Sequence, residues 1–326
     1  MFVMMDQIIQ PIQTGMVLFE RRLESALVSQ VEIVQRMARH IVAARGKRIR
    51  PALALLTAQA LGGSEPDRVT DAAVGIELLQ TATLIHDDIV DSADTRRGVP
   101  SLNAIWGSQA SVLMGDFLLA KALQILVGLE SQKVMEAATR ATQRMVEGEL
   151  LEVERGDAAL TESVYLDLIS KKTSALIALS CELGAILSGG SSEQIAQMTA
   201  FGELLGLAFQ ITDDVLDFTG DSVVRGKPVG NDVKEKTITL PLIRALENCS
   251  NGEGDRIRAR IESGIENGSD WQEIVAFVHR YDGIEYATRR AYRYAEDASR
   301  RLSALLASEA RQSLELATRH AVERQR

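Results

Sequence analysis

The sequence predicts an all-α protein, one large helical bundle that takes residues 1–326 as a single domain. Three observations lead there. Only 6 prolines occur in 326 residues, and proline is the residue that most reliably interrupts a helix. The long apolar stretches repeat at three- and four-residue steps rather than alternating, and no series of strands can be read between them. Punctuation falls at Leu61-Gly62-Gly63-Ser64-Glu65-Pro66, Arg97-Gly98-Val99-Pro100, Gly189-Gly190-Ser191-Ser192 and 220–230, turn-like segments too short to be flexible interdomain linkers.

The stretch 72–90 is a good example, with Ile76, Leu79, Thr83, Asp87 and Asp91 on one side. Further helical stretches are read at 109–127, 133–155, 162–187, 193–218 and 240–247, and a last one at 285–324 is thick with Arg, Ala and Leu. Stretches 175–187 and 204–211 are apolar on more than one face, which suits the middle of a bundle or a subunit contact. A homodimer is therefore expected, the commonest form of soluble oligomer.

Composition bounds the function. Apolar residues at 46% and charged residues at 25% are the mix of a soluble globular protein. The 36 basic and 45 acidic residues leave a net charge of −9, which argues against a nucleic-acid partner and gives no polybasic patch for anionic lipid. Cys181 and Cys249 are too few for a disulfide framework and form no CxxC pair. The apolar start is interrupted by Asp6 and lacks a basic leader, so it does not read as a signal peptide. No uninterrupted apolar run reaches the roughly 18 residues of a membrane span. The expectation is a cytoplasmic protein without stable membrane insertion.

One short pattern occurs twice. His86-Asp87-Asp88-Ile89-Val90-Asp91 and Thr212-Asp213-Asp214-Val215-Leu216-Asp217 both contain DDxxD near the end of an apolar helical run. At such spacing the carboxylates share a helix face and repel one another, and apolar neighbours make the unpaired charges costlier still. A counter-cation resolves the conflict, and oxygen ligands select magnesium or manganese over zinc. Magnesium keeps few protein ligands and several substrate oxygens, so the pair of clusters predicts a phosphate held through metal ions in a cavity between the two aspartate-bearing helices. His86 beside the first cluster reads as a packed imidazole rather than a catalytic base.

An anion also needs cationic partners. Gly46-Lys47-Arg48-Ile49-Arg50-Pro51 opens a helix, where backbone N–H groups favour anions. Arg96-Arg97-Gly98 follows the first cluster, Lys171-Lys172-Thr173 begins another helix, and Lys227 and Lys236 follow the second cluster. Arg suits bidentate phosphate contact and Lys acts as a point charge.

These motifs, together with Gly115-Asp116, Phe209-Gln210 and Gly226-Lys227-x-x-Gly230-x-Asp232, resemble the trans-isoprenyl diphosphate synthases in content and order over residues 40 to 245. The stretches 81–88 and 110–117 are most similar to the bacterial octaprenyl-diphosphate synthases. The resemblance implies an isoprenoid-synthase type fold and a magnesium-dependent prenyltransferase with two or three ions, manganese being the substitute. It implies that Lys47, Arg50 and Arg97 hold isopentenyl diphosphate. Arg96, Lys172, Thr173, Gln210, Lys227 and Lys236 would hold the allylic diphosphate, and Asp87, Asp88, Asp91, Asp213, Asp214 and Asp217 would bind it through magnesium. Lys172 counts with these aspartates as catalytic. Gln80 stands where the family usually has His; it still donates a hydrogen bond but cannot become cationic.

The implied chemistry is head-to-tail condensation of isopentenyl diphosphate with an allylic diphosphate such as farnesyl diphosphate. Short-chain family members often carry a bulky aromatic four or five residues before the first Asp. Here those positions are Thr83 and Ala82, followed down the helix by Leu79 and then Gly75 or Ile76, roughly 12 and 17 Å away at 1.5 Å per residue. Without an aromatic plug, and at about 0.8 kcal/mol per buried CH₂, a product of about C40 is expected, with membrane contact no more than transient at product release. The alternatives are a short-chain farnesyl or geranylgeranyl synthase, and the catalytic subunit of a heteromeric synthase. A terpene cyclase would lack the second aspartate cluster, and a non-catalytic subunit would show eroded ones.

Overall fold

The computed structural model describes residues 2–44, 46–63, 65–96, 98–155, 161–219, 237–264 and 268–323. The described chain is helical almost throughout, with one two-residue hairpin, β1 (Thr95–Arg96) against β2 (Val99–Pro100). Its helices begin with α1 (Phe2–Ile9), α2 (Gln13–Ala26), α3 (Glu32–Ala43), α4 (Ile49–Ala60), α5 (Pro66–Val90), α6 (Leu102–Gly128) and α7 (Gln132–Arg155). They continue with α8 (Glu162–Ile169), α9 (Ala175–Leu187), α10 (Ser192–Thr219), α11 (Leu240–Asn248), α12 (Glu253–Ser263), α13 (Gly268–Arg280), α14 (Gly283–Arg301) and α15 (Glu309–Val322). The helices at 2–26, 32–43, 253–263 and 268–280 fall where the sequence reading placed none.

Local chemistry sets the ends. Pro66 opens α5, where its missing N–H costs nothing, and the Ser101 hydroxyl caps α6 by accepting from the Ala104 N–H at 3.1 Å. Gly62 closes α4 with φ +75°, and the next N–H, of Gly63, reaches back to the Ala58 carbonyl at 2.9 Å. Two expected helices are interrupted. The stretch 162–187 contains a π-helical segment, Ser170–Ser174, between α8 and α9. The stretch 285–324 breaks after Arg301, because Ser308 caps a new helix by accepting from the Arg311 N–H at 3.2 Å.

By packing, the chain divides into two compact units interleaved in sequence: 1–142, 176–202 and 301–317 form one, and 143–175, 203–300 and 318–326 the other. The core of the first is built on Phe19, Leu53, Leu56, Ile76, Leu79 and Leu118. In it α5 and α6 run antiparallel at close range. A Cβ on Gly75 would lie 2.9 Å from the Leu126 side chain, and one on Gly115 would lie 2.2 Å from His86 Nε2. The second unit centres on Tyr165, Ile211, Leu240, Ile257 and Phe277.

Among the described residues α6 alone is long and apolar enough to cross a bilayer by length and composition. Its Ser111, Met114, Leu118, Ala122 and Leu126 face is buried, while Leu113, Leu123 and Val127 are exposed.

Candidate active site

In the first unit, the first aspartate cluster ends α5. Asp88 is buried, Asp87 half-buried and Asp91 exposed at the C-cap. Carboxylates at a helix C-terminus face the negative end of the macrodipole as well as each other. Arg96 on β1 answers part of that cost, donating from Nε to Asp88 Oδ1 at 2.7 Å. The hairpin thus places one candidate diphosphate contact on a candidate metal ligand. His86 packs its ring over Gly115, with Nε2 3.2 Å from the Val112 carbonyl oxygen and 3.6 Å from Asp116.

On the same unit, Lys47 is exposed just before α4, and Arg50 lies half-buried in its first turn. Gln80 is half-buried on α5, its carbonyl accepting from the Thr83 hydroxyl at 2.9 Å. Of the candidate chain-length residues, Ala82, Leu79 and Ile76 are buried and Thr83 is half-buried. Further toward the N-terminus of α5, an open hollow of about 430 Å³ is lined by Arg22, Asp71, Val74, Lys121, Gln124 and Ile125.

The second unit holds the second cluster on the last turns of α10, where Asp214 and Asp217 are buried and Asp213 half-buried. The buried Tyr165 hydroxyl donates to Asp214 Oδ2 at 2.5 Å, and Gln210 Nε2 donates to Oδ1 at 2.8 Å. Gln210 in turn accepts from the Thr173 hydroxyl at 2.8 Å. Hydrogen bonds to a charged acceptor are the strong ones, so the Asp214 side chain is held in place at both oxygens and connected through Gln210 to Thr173.

Lys172 and Thr173 stand on the π-helical segment, a backbone irregularity frequent at functional sites. Arg144 on α7 pins its start: the guanidinium pairs with Glu203 on α10 at 2.9 Å and donates to the Ser170 hydroxyl at 2.7 Å. Gly148 and Gly206 let α7 and α10 approach; a Cβ at 148 would come within 3.0 Å of Lys172, and one at 206 within 2.6 Å of Ser174. Lys172 pairs with Glu149 at 3.0 Å and with Glu152. Burial would lower its pKa, but Glu152 and Glu149 together outweigh that and hold it above the ordinary lysine range. Lys172 is therefore a fixed cation at neutral pH.

Sequence reasoning missed Tyr165, Glu149 and Glu152. Tyr165 lies 49 residues from its partner, and the two glutamates sit among other charged residues of α7, far in sequence from Lys172. Arg97, Lys227 and Lys236 lie outside the described residues. Among the described residues no group of three His, Cys, Asp or Glu side chains is set to hold a metal alone. The candidate ligands are all carboxylates, one held by Arg96 and another by Tyr165 and Gln210. That donor set fits a hard cation whose remaining ligands come from water and phosphate oxygens.

Residues 31–278 match the sequence profile of the polyprenyl synthetase family. The chain is 39% identical to a short chain isoprenyl diphosphate synthase of Methanothermobacter thermautotrophicus, over 94% of this chain and 95% of the relative. It is 38% identical to the octaprenyl diphosphate synthase of Escherichia coli, over 86% and 85% of the two chains. In structure it is similar to a polyprenyl synthase from Caulobacter crescentus complexed with calcium and isoprenyl diphosphate. That likeness has a TM-score of 0.92 and 33% identity, covering 98% of this chain and 97% of the other.

Proposed function

Since the chain belongs to the polyprenyl synthetase family and is a prenyltransferase, we propose that it condenses isopentenyl diphosphate head-to-tail with an allylic diphosphate such as farnesyl diphosphate. The product is long, about C40, its retention during growth favoured by about 0.8 kcal/mol per buried CH₂. Residues 1–326 act as one catalytic domain, in a cytoplasmic homodimer whose contact includes the exposed Leu113, Leu123 and Val127 of α6.

The single observation that carries the reading is the bridge from Thr173 through Gln210 to Asp214. It joins a hydroxyl suited to a diphosphate oxygen to a carboxylate suited to a metal ion. Asp87, Asp88, Asp91, Asp213, Asp214 and Asp217 would hold magnesium, which supplies neutralisation of the charge that builds on departing diphosphate. Lys172, Thr173, Gln210 and Arg96 grip the same leaving group as its bond to the allylic carbon breaks, a preorganised electrostatic role. Lys47, Arg50 and Gln80 orient isopentenyl diphosphate so that its double bond meets the allylic carbon. The surplus proton passes to an oxygen of the released diphosphate. Arg97, Lys227 and Lys236 join these groups on the strength of the sequence motifs alone.

A short product is the second reading, favoured by the complete burial of Ile76 and Leu79 on α5. The hollow beside Val74 favours the long one: it lies 13 residues, or roughly 20 Å, from Asp87 along the same helix. Incubation with farnesyl diphosphate, radiolabelled isopentenyl diphosphate and Mg²⁺, followed by sizing of the dephosphorylated products, decides between them. Products near C40 are expected. Chains that stop at C15 or C20 would overturn the long-chain reading, and no incorporation at all would overturn the activity.

A further inference from the structure

Between Lys47 and Arg50 stands a residue to which neither the motif nor the mechanism gives a task. Arg48 immediately precedes α4 and has a left-handed backbone, φ 53° and ψ 34°. A residue with a Cβ adopts that conformation only at a cost, which glycine avoids. Such a residue persists where its surroundings over-determine it.

The side chain supplies that determination. Arg48 Nε donates to Glu20 Oε1 on α2 at 3.0 Å, and Nη1 donates to Glu77 Oε1 on α5 at 2.6 Å. The guanidinium also lies 5.8 Å from the ring of the fully buried Phe19. The Arg48 and Glu77 side chains are each only 12% exposed, so this is an interior ion pair. Burial acts against the charge, but Glu77 and Glu20 outweigh it and raise the Arg48 pKa.

Two geometric consequences follow. The left-handed residue turns the chain between Lys47 and Arg50, so the directions of those two side chains relative to each other are set at position 48. Glu77 precedes Gln80 by three residues on α5 and shares its helix face. One ion pair therefore ties the segment carrying Lys47 and Arg50 to the helix turn carrying Gln80.

We propose that Arg48 is a positioning residue for isopentenyl diphosphate, fixing Lys47 and Arg50 against Gln80 without itself touching the substrate. This rests on the reading that those three residues hold that diphosphate.

The test uses full-length enzyme with Mg²⁺, varying isopentenyl diphosphate and farnesyl diphosphate in turn. Arg48→Gln and Glu77→Gln should each raise KM for isopentenyl diphosphate about tenfold, the scale of a sub-ångström misplacement. KM for farnesyl diphosphate should stay within about twofold, and kcat within about threefold, the signature of lost binding to one substrate. The double variant should do no more harm than the worse single one, because both break the same pair. Arg48→Lys, which keeps a cation, should restore part of the loss. Glu20→Gln leaves the Glu77 pair in place and provides a milder variant should the others fail to fold.

Equal rises in both KM values, or an unchanged KM for isopentenyl diphosphate in the Arg48 and Glu77 variants, would overturn the positioning role. Lys47→Ala separates this from the underlying reading. If Lys47→Ala also leaves that KM unchanged, the assignment of the isopentenyl diphosphate site fails; if it raises KM while the Arg48 variants do not, only the role of Arg48 fails.

Discussion

Replacing Tyr165 by Phe removes one oxygen and leaves the ring in its buried place, so the packing volume is kept while one hydrogen bond is lost. That bond runs to a carboxylate, and both partners are buried. A hydrogen bond to a charged group contributes about 1.5–3 kcal/mol, and at about 1.4 kcal/mol per factor of ten its loss amounts to roughly 10- to 100-fold in an equilibrium that depends on it. If the hydroxyl holds Asp214 in place for a cation, the loss appears in metal affinity. Mg²⁺ half-saturation of turnover should move up by that factor, and Mn²⁺ binding followed by electron paramagnetic resonance in the presence of inorganic diphosphate should weaken in parallel. Circular dichroism should report unchanged helicity. Metal half-saturation within about twofold of the parent would refute the reasoning, even if thermal stability fell, because the hydroxyl would then serve packing alone.

Glu152→Gln should loosen Lys172 and lower KM for farnesyl diphosphate about two- to fivefold, the range for a part-exposed ion pair; a higher KM would contradict the picture of carboxylates competing with substrate. Gly115→Ala would drive a Cβ into the His86 ring and should cost about 1–3 kcal/mol in urea unfolding, so a loss below about 0.5 kcal/mol would argue against that close approach. The Cys181 thiol, buried and pushed up to about 12 from 9.0, should resist Ellman's reagent in the native protein while Cys249 reacts. Because the folded pKa lies above the unfolded one, this group's contribution to stability is complete below pH 9.0 and is lost as pH rises toward about 12. Cys181→Ala should therefore flatten the alkaline decline of the urea midpoint; an identical decline would contradict that.

What was legible in the sequence was what is local. The two aspartate clusters declare themselves through i, i+4 spacing on one helix face, Gln210 through the motif that leads into the second cluster, and Lys172 and Thr173 through a short motif of their own. The π-helical segment beneath Lys172 was not legible, since one residue added to a helical turn leaves no mark in composition. Tyr165, Glu149 and Glu152 act across sequence gaps of tens of residues, and nothing in their own neighbourhoods singles them out. Arg48 was visible within its motif, but its left-handed backbone and its two glutamate partners were not. The split between α14 and α15 did have a signal, Ser308 ahead of Glu309, which was outweighed by the continuous run of Arg, Ala and Leu around it.

The tight pairing of α5 with α6 constrains how this region can vary. Its two close approaches, residue 75 to 126 and 86 to 115, are separated by the same number of residues on each helix, eleven, which returns an α-helix to within about 20° of its starting direction. Adding one residue to either helix between those points would swing everything beyond it by about 100°, and a bulky side chain would arrive where glycine now permits contact. Deletion fails for the same reason. Leu118 and Ala122 lie on the stretch of α6 that spans the interval, level in this register with Thr83 and Leu79 respectively. The packing between α5 and α6 can thus be reshaped only by exchanging side chains, and each exchange on one helix has to be met by the other.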